Sequence, residues 1–238
     1  MVKIIAVIPA RGGSKGIKNK NIRIIAGHPL IAYSIKAGLS VKRVDRVICT
    51  TDSPEIAEIA KNYGAEVPFL RPKKLALDDT PDYPVFKHLL DYLKEEKYIP
   101  DIVLHLRPTS PVRFKQDIEK AIKIFINTSG ADSLRTVCKS PLTPYKMWRK
   151  KGKYLKPILS LRSVREPYNM PRQKLPIVYW QTGYLDIFRY QSFRKYRSMT
   201  GKKILGYEIS SEYAVDIDKE EDLERAEYLV KNTKCIKP

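Results

Sequence analysis

Residues 8 to 22, IPARGGSKGIKNKNI, combine glycines with basic side chains directly after an apolar run. Glycines allow a backbone to approach an anion closely and to turn its N–H groups towards it. Arg11 and Lys15 supply positive charge, and Ser14 lies between them. The spacing differs from the GxxxxGK[ST] of a P-loop and from the GxGxxG of a dinucleotide loop. We interpret the stretch as a phosphate-binding loop; the alternative is a glycine-rich turn with exposed basic residues.

Two aspartates near the end of the chain have the spacing of a metal site. In VDIDKEEDL, Asp216 and Asp218 flank Ile217, and alternate side chains of a strand project from the same side. Paired carboxylates beside a phosphate-binding loop suit Mg²⁺, which takes oxygen ligands and keeps room for water and phosphate. Alternatively, Asp218 caps the following helix, with Glu221 completing a capping box. Capping does not account for Asp216.

A third polar stretch, HLRPTSPVR at residues 105 to 113, follows an apolar run that is typical of a strand. Ser110 and Pro111 are residue types that commonly begin a helix, as its N-cap and first helical residue. Capping does not account for Arg107, which we expect on the same rim as the phosphate-binding loop. His105 alternates with leucines in the strand, and we interpret it as packed rather than catalytic.

The elements that position these stretches alternate between β-branched apolar runs and helical patterns. Continuous apolar runs are typical of buried parallel strands, and intervening helices indicate βαβ units. The predicted class is therefore α/β, a mostly parallel sheet with helices on both faces and ligands at the carboxyl ends of the strands. Strands are predicted at residues 3–9, 45–52, 65–70, 101–106, 132–137, 177–188, 203–209 and 213–218. Helices are predicted at residues 29–39, 54–64, 83–96, 114–126 and 219–232.

The alternation stops between residues 139 and 177, where six prolines and eleven basic residues accompany a single acidic residue. This composition lacks a helical period and predicts an insertion that leaves the sheet. A short hairpin is expected around residues 146–159. The basic stretch MPRQKLP, residues 170–176, ends the insertion and by itself indicates no function.

The bulk composition narrows the class of protein. The 238 residues fit one large domain, and the net charge is +19. Residues 139–203 hold 17 lysines and arginines against Glu166 and Asp186. This excess indicates either a solvated basic face or an anionic partner, which could be nucleic acid, an acidic surface or a negatively charged small substrate. Three scattered cysteines predict neither a disulfide framework nor a zinc site. No apolar run reaches the ~20 residues of a membrane span, so a cytoplasmic location is expected.

In combination, IPARGGSKGIKNKNI, LRPTSPVR, PRQKLP and DIDKEEDLERAE resemble the acylneuraminate cytidylyltransferase family, the CMP-sialic acid synthetases. The motifs follow the family's order and span nearly the whole chain. The resemblance implies a single nucleotidyltransferase-type, Rossmann-like domain over residues 1–238. It also implies that residues 139–177 form an inserted dimerisation arm, giving a homodimer in which each subunit lends residues to its neighbour's active site. Such dimers could pair into a tetramer.

The resemblance further implies a reaction in which CTP and a nonulosonic acid give a CMP-sugar and pyrophosphate. The nucleotide-binding residues would be Arg11, Gly12, Gly13, Ser14, Lys15, Asn21 and Arg71. The catalytic residues would be Arg11, Lys15, Asp216 and Asp218, with the two aspartates binding Mg²⁺. Among the sugar-binding residues, Arg172 would reach across the dimer.

Several substrate-contacting positions depart from the family's pattern. Arg107 stands where sialic acid synthetases typically have Gln, while Thr182 and Asp186 replace the Asn and Tyr of an NGAIY-like strand. ALDDTPDYPVF replaces a DTASS-type segment that helps to recognise cytosine. The sequence therefore predicts sugar contacts from Arg107, Thr182, Asp186 and Arg172. A nucleotidyltransferase that activates another sugar or sugar phosphate, with CTP or another nucleotide, remains an alternative. Nucleic-acid binding is a remote alternative, because the sequence contains no recognisable nucleic-acid-binding module.

Overall fold

The computed structural model describes residues 2–238. They form one six-stranded sheet with helices packed on it, and two separate two-stranded sheets. The strands are β1 (Ile4–Pro9), β2 (Ile24–Ile25), β3 (His28–Pro29), β4 (Arg46–Thr50), β5 (Ile102–His105), β6 (Ser133–Lys139), β7 (Trp148–Lys151), β8 (Tyr154–Pro157), β9 (Tyr179–Arg189) and β10 (Ile204–Glu208). The α-helices are α1 (Leu30–Leu39), α2 (Pro54–Asn62), α3 (Asp82–Glu95), α4 (Lys115–Asn127), α5 (Tyr190–Tyr196) and α6 (Glu220–Asn232). Among these residues, no helix is both long enough and apolar enough to cross a membrane.

The strand order across the main sheet is β10-β6-β9-β5-β1-β4. β1 pairs in parallel with β4 and β5, and β10 pairs in parallel with β6. Only β9 is antiparallel to its neighbours, β5 and β6. The prediction of a mostly parallel sheet is therefore confirmed. Because β1 and β5 run in the same direction, the polar loops that follow them meet at one edge of the sheet.

The side chains of β1 alternate between two apolar clusters, one on each face of the sheet. Ile4, Ala6 and Ile8 join the cluster of α1, α2 and α4, whereas Ile5 and Val7 join that of α3 and α5. All five side chains are buried. Burial on both faces removes apolar surface from water at about 25 cal/mol per Å², which makes this central strand a stable base for the loop after it.

Three predicted elements differ from the structure. Helix α4 begins at Lys115, within one residue of the predicted start, but Phe114 and not Ser110 occupies its N-cap position. Residues 65–70 form only isolated bridges, because Pro68 interrupts them with a residue that has no N–H to donate. Residues 213–218 pair with no strand, and the N–H of Val215 donates to the carbonyl oxygen of Tyr213 at 2.9 Å in a tight turn. The short helix α5 was not predicted.

The start of α6 also corrects one prediction. Asp222, not Glu221, accepts hydrogen bonds from the backbone N–H groups of Asp218 and Lys219, at 2.9 and 2.8 Å. The N-cap position belongs to Lys219. The side chain of Asp218 is therefore free of the capping role that the sequence left open.

The arm, residues 139–177, leaves the sheet as predicted. β7 and β8 form an antiparallel hairpin, with Trp148 opposite Pro157, and every residue of the two strands is exposed. The arm begins and ends at neighbouring positions of the sheet, because Lys139 of β6 pairs with Tyr179 of β9. A lone two-stranded hairpin is marginally stable in water, so this one requires further packing to become rigid.

Candidate active site

A cleft of about 380 Å³ opens at the carboxyl edge of the sheet, beside the ends of β1 and β5. Its walls come from the glycine-rich loop, from the segment that precedes α3 and from the loop after β5. This is the edge at which α/β sheets usually bind ligands. Of the predicted site residues, the lining brings together Arg11, Ser14, Lys15, Asn21, Arg71, Arg107 and Asp218.

Arg11 and Lys15 both contact the carboxylate of Asp78. Arg11 Nη1 lies 2.5 Å from Oδ1, and Lys15 Nζ lies 2.6 Å from Oδ2. Hydrogen bonds from Lys15 and from Arg11 hold the pKa of Asp78 below its ordinary value. The two cations that were predicted to hold a triphosphate therefore share the carboxylate of Asp78 in this structure. Sequence analysis missed Asp78, which lies 67 residues from Arg11.

The backbone of the glycine-rich loop is held from two sides. The N–H of Gly12 donates to Asp52 Oδ1 at 3.0 Å, so it already has a partner. Gly13 is exposed and has no neighbouring atom within 4 Å of a Cβ position. Asn21 is buried and donates through Nδ2 to the carbonyl oxygen of Arg11 at 2.9 Å. Asn21 therefore fixes the shape of the loop from within.

Lys20 connects the glycine-rich loop to the aspartates near the end of the chain. Its Nζ donates to the carbonyl oxygen of Ile217 at 2.6 Å and to Asp218 Oδ1 at 3.0 Å. The side chain lines the cleft and is only 15% exposed. Sequence analysis did not single out Lys20; the available signal was its place in the same basic stretch. Lys20 is therefore a third basic side chain of this loop, after Arg11 and Lys15, that lines the cleft.

Asp216 and Asp218 project to solvent on either side of the buried Ile217. The segment is anchored where the N–H of Ile217 donates to the carbonyl oxygen of Thr109 at 2.9 Å. Asp216 lies beside Gly183 of β9, because a Cβ built there would be 3.5 Å from Asp216 Oδ1. The expected alternation of side chains is present, although a single backbone contact takes the place of a strand ladder.

Arg107 reaches the cleft from the loop after β5 and is held by two carboxylates. Nη1 donates to Asp186 Oδ2 at 2.6 Å, and Nη2 donates to Asp82 Oδ2 at 3.3 Å. Arg135 of β6 donates to the same oxygen of Asp186 at 2.7 Å. Burial lowers the pKa of Arg107, but Asp186 and Asp82 outweigh burial and raise it. The Arg107 guanidinium is therefore a fixed positive charge in the cleft.

Three of the predicted sugar-binding residues lie outside the cleft lining. Asp186 is buried, with 3% of its surface exposed. Thr182 is also buried, and its hydroxyl lies 2.8 Å from that of Thr136. Arg172 lies at the base of the arm and donates to the carbonyl oxygen of Ser140 at 2.5 Å. Of the four predicted sugar contacts, Arg107 is the one that this chain presents directly to its own cleft.

Two buried arginines support the cleft from below. Arg71 is 5% exposed and lies 3.7 Å from Asp52 Oδ1, and burial lowers its pKa. Arg113, which sequence analysis did not single out, donates to the carbonyl oxygens of Tyr184 and Arg107 at 2.5 and 2.8 Å. Burial lowers the pKa of Arg113 to about 9. Arg113 therefore ties the loop after β5 to β9.

Known proteins resemble this chain in sequence and in fold. Residues 5–235 match the family model described as cytidylyltransferase. Post-translational flagellin modification protein B of Campylobacter coli is 34% identical over 236 residues, which cover 97% of this chain and 96% of that protein. N-acylneuraminate cytidylyltransferase of Escherichia coli O18:K1:H7 is 32% identical over 94% of this chain but only 51% of that protein. The chain thus spans about half the length of the E. coli relative.

A solved structure supports the fold. CMP:2-keto-3-deoxy-manno-octonic acid synthetase, complexed with CTP, matches with a TM-score of 0.70 at 17% identity, covering 96% of this chain and 98% of that one. This match confirms the predicted nucleotidyltransferase-type architecture. At 17% identity the likeness concerns the fold alone. The family match, by contrast, spans the glycine-rich loop, the loop after β5 and both aspartates, and through it the chain belongs to the cytidylyltransferase family.

Proposed function

We propose that this chain transfers a cytidylyl group from CTP to a sialic-acid-like nonulosonic acid, giving a CMP-sugar and pyrophosphate. The observation that carries the proposal is one cleft that combines the glycine-rich loop, Arg107 and Asp218 in a chain with an N-acylneuraminate cytidylyltransferase among its relatives. The anomeric hydroxyl of the sugar would attack the α-phosphorus. The bond to the bridging oxygen of the β-phosphate would break, pyrophosphate would leave with the electron pair, and the hydroxyl proton would pass to solvent.

The phosphates would bind the cations of the glycine-rich loop. Arg11 and Lys15 already hold a carboxylate, Asp78, at 2.5 and 2.6 Å, and a triphosphate oxygen would take its place. Charge-assisted hydrogen bonds of this kind are about twice as strong as neutral ones. Phosphoryl transfer depends mainly on positioning and on offsetting charge at the transferred group. Lys20 lies close enough to Asp218 to contribute to the same charge balance.

Mg²⁺ is part of the proposal, and the residues present fit it. Asp216 and Asp218 are exposed carboxylates, and Lys20 engages only one oxygen of Asp218. No group of three or more His, Cys, Asp or Glu side chains that could hold a metal occurs within residues 2–238. Mg²⁺ commonly takes one or two carboxylates and completes its shell with water and substrate phosphates. Bound there, it would offset phosphate charge and lower the pKa of the attacking hydroxyl.

The sugar would lie beside Arg107, whose guanidinium suits an acidic ligand. Asp186 and Thr182 are buried and would act through neighbours, Asp186 by orienting Arg107 and Thr182 by holding β9 against β6. Arg172 lies at the base of the arm, away from this chain's cleft lining. Arg172 would serve the cleft of a second copy.

A homodimer built through residues 139–177 completes the proposal. The hairpin exposes large apolar side chains, with Tyr154 at 67%, Leu155 at 58% and Trp148 at 39%. Exposed apolar groups on a marginally stable hairpin favour a partner surface. A second copy of the chain is the partner we propose, and a cytoplasmic location follows from the use of CTP.

The proposal is tested by measuring pyrophosphate release with Mg²⁺, each of the four nucleoside triphosphates, and a panel of sugar acids and sugar 1-phosphates. Release with CTP and a nonulosonic acid alone is the expected result, and it names the sugar. Release with another pair would replace the proposed substrates while keeping nucleotidyl transfer. No release from any pair, together with steeply salt-dependent binding of mixed-sequence DNA, would overturn the proposal in favour of nucleic-acid binding.

A further inference from the structure

His105 is a fully buried side chain that lines the cleft at the carboxyl end of β5. Together with Asp82, Val85 and Arg107 it forms what we call the inner wall of the cleft. Its ring packs edge-on against Phe86 of α3, with ring centroids 4.7 Å apart. The imidazole is therefore held between the sheet and the first turns of α3, next to the space that a ligand would enter.

Neither ring nitrogen of His105 has a hydrogen-bond partner within residues 2–238. The Oδ2 atoms of Asp186 and Asp82 lie 3.8 and 3.9 Å from Nδ1, which is too far for a hydrogen bond. A buried polar group without a partner destabilises the folded state, because it has lost its hydrogen bonds to water. An apolar side chain would therefore suit the free protein better than this imidazole does. Both ring nitrogens are therefore buried and, among the described residues, unpaired at the wall of the cleft.

The charged side chains next to His105 form hydrogen-bonded ion pairs with one another. Asp186 lies opposite His105 in the β5–β9 pair and opposite Arg135 in the β6–β9 pair. Its Oδ2 accepts from both Arg107 and Arg135, at 2.6 and 2.7 Å. These hydrogen bonds hold the row formed by Arg135, Asp186 and His105 in position, although Asp186 Oδ1 itself has no hydrogen-bond partner within residues 2–238. His105 is the member of the row that has no hydrogen-bond partner at the cleft.

Burial, followed by the positive charges of Arg107, Arg135 and Arg113, holds the pKa of His105 well below 6.5. The acidic groups that face the ring are Asp82 and Asp186, both on the side of Nδ1. The imidazole is therefore neutral at physiological pH. A neutral imidazole offers one N–H donor and one acceptor nitrogen. A hydroxyl or a secondary amide offers the same pair and therefore complements it.

We propose that His105 is a specificity-determining residue that hydrogen-bonds a hydroxyl or acylamino substituent of the acidic sugar bound beside Arg107. This inference rests on the proposed function. Arg107 favours the sugar over the pyrimidine base as the occupant of the inner wall, because its fixed positive charge attracts a carboxylate, whereas a cytosine ring is uncharged. The charged guanidinium of Arg107 would then bind the sugar's carboxylate, and the neutral imidazole of His105 would bind its polar substituent.

The kinetic test compares His105→Phe with the matched control His88→Phe. His88 also has a buried ring nitrogen without a partner and packs edge-on against an aromatic ring, Phe69, at 4.7 Å, but it does not belong to the cleft lining. His105→Phe should raise the sugar KM about tenfold, the loss of roughly one hydrogen bond, while the CTP KM changes less than twofold. His105→Gln, which keeps a donor and an acceptor, should recover part of the loss. An unchanged sugar KM, or a change in the CTP KM instead, would overturn the inference.

A binding readout separates this inference from the proposed function. The chain has three histidines, so their imidazole ¹⁵N resonances can be assigned from the two phenylalanine variants. Addition of N-acetylneuraminic acid, or of the sugar acid that gives most turnover, should shift the His105 resonances and leave those of His28 and His88 in place, whereas CTP alone should not. A wild-type enzyme that is silent across the whole panel contradicts the proposed function. If the enzyme is active but the His105 resonances do not shift when the sugar is added, only the proposed role of His105 is contradicted. If neither turnover nor a shift occurs, both proposals fail.

Discussion

Gly16 of the glycine-rich loop lies against the backbone of Asp218. A Cβ built on Gly16 would be 2.7 Å from the carbonyl oxygen of Asp218, a distance that side-chain carbons essentially never reach. The loop that carries the cations and the segment that carries the carboxylates therefore meet where only glycine fits. Their separation is set by this backbone contact and by the Lys20 side chain, which donates to the carbonyl oxygen of Ile217 and to Asp218 Oδ1.

The first prediction follows from this contact. Gly16→Ala should push the loop away from Asp218 and lower kcat/KM for CTP by roughly tenfold or more, because small misplacements of positioning groups are costly in catalysis. Gly206→Ala is the control, since a Cβ there would lie 3.8 Å from Val137, an ordinary contact, and Gly206 is not part of the cleft lining. Steady-state pyrophosphate release compares the two variants. Equal activity in both would show that the contact does not position the site.

The second prediction concerns the carboxylate that occupies the phosphate-binding cations. Asp78→Asn frees Arg11 and Lys15 from an ion pair and should tighten CTP binding about two- to tenfold, in keeping with the small energies of exposed pairs. The gain should shrink as salt rises. Calorimetric titration with CTP measures it, with Asp79→Asn as the exposed neighbouring control. Weaker binding in Asp78→Asn would mean that Asp78 contacts the nucleotide complex itself.

The third prediction tests the metal ligands. Asp216→Asn and Asp218→Asn should each lower kcat by roughly 100-fold or more, because a bound metal supplies several kcal/mol of charge stabilisation. Both side chains are exposed, so thermal unfolding should change little. Glu224→Gln on exposed α6 surface serves as the control. Full activity of both variants over a Mg²⁺ titration would remove the metal from this site.

The fourth prediction addresses assembly. Replacing residues 146–158 with a short glycine-serine turn should give a folded monomer with little activity, because the hairpin strands are exposed and lie outside the main sheet. Sedimentation velocity gives the oligomeric state, and circular dichroism checks the fold. Lys153→Ser at the exposed hairpin turn is the control. A deletion variant that remains dimeric would place the subunit contact elsewhere.

The fifth prediction is a dependence of stability on pH. Burial holds the pKa of His105 well below 6.5 in the folded protein, so below pH 6.5 the unfolded chain binds a proton that the folded chain does not. Stability is therefore lost as pH falls through that window, by at most about 1.4 kcal/mol per pH unit for one group. Urea unfolding at pH 7.5, 6.5 and 5.5 should show a smaller loss in His105→Phe than in the wild type. Identical slopes would mean that folding does not lower the pKa of His105.

The sequence predicted the framework well because its signals are local. Continuous apolar runs marked β1 and β5 to within about one residue, and Gly64, at a φ of +95°, closes the turn after α2 as expected. The alternation of Asp216 and Asp218 was correct even though no strand forms there. Side-chain alternation needs only an extended backbone, whereas a strand also needs a neighbouring partner, which a local pattern cannot reveal.

The errors at the site have a common physical origin. Ser110 was assigned to a helix N-cap by local preference, but the chain uses the residues up to Arg113 to tie β5 to β9, and tertiary contacts override the capping signal. Asp78, Lys20 and the row formed by Arg135, Asp186 and His105 depend on contacts between distant segments. Residue types alone could not pair them, and a buried imidazole without partners resembles any packed histidine in a sequence.

The two ends of the arm lie side by side in the sheet, because Lys139 pairs with Tyr179. Directly opposed residues of an antiparallel pair lie about 4.5–5.5 Å apart, so the arm is a closed excursion whose two ends a tight turn could join. Loops whose ends are this close tolerate exchange, lengthening and loss, since closure costs little extra free energy as length changes. The arm is therefore a replaceable module: recombination could exchange it without altering the pairing of the strands in the main sheet.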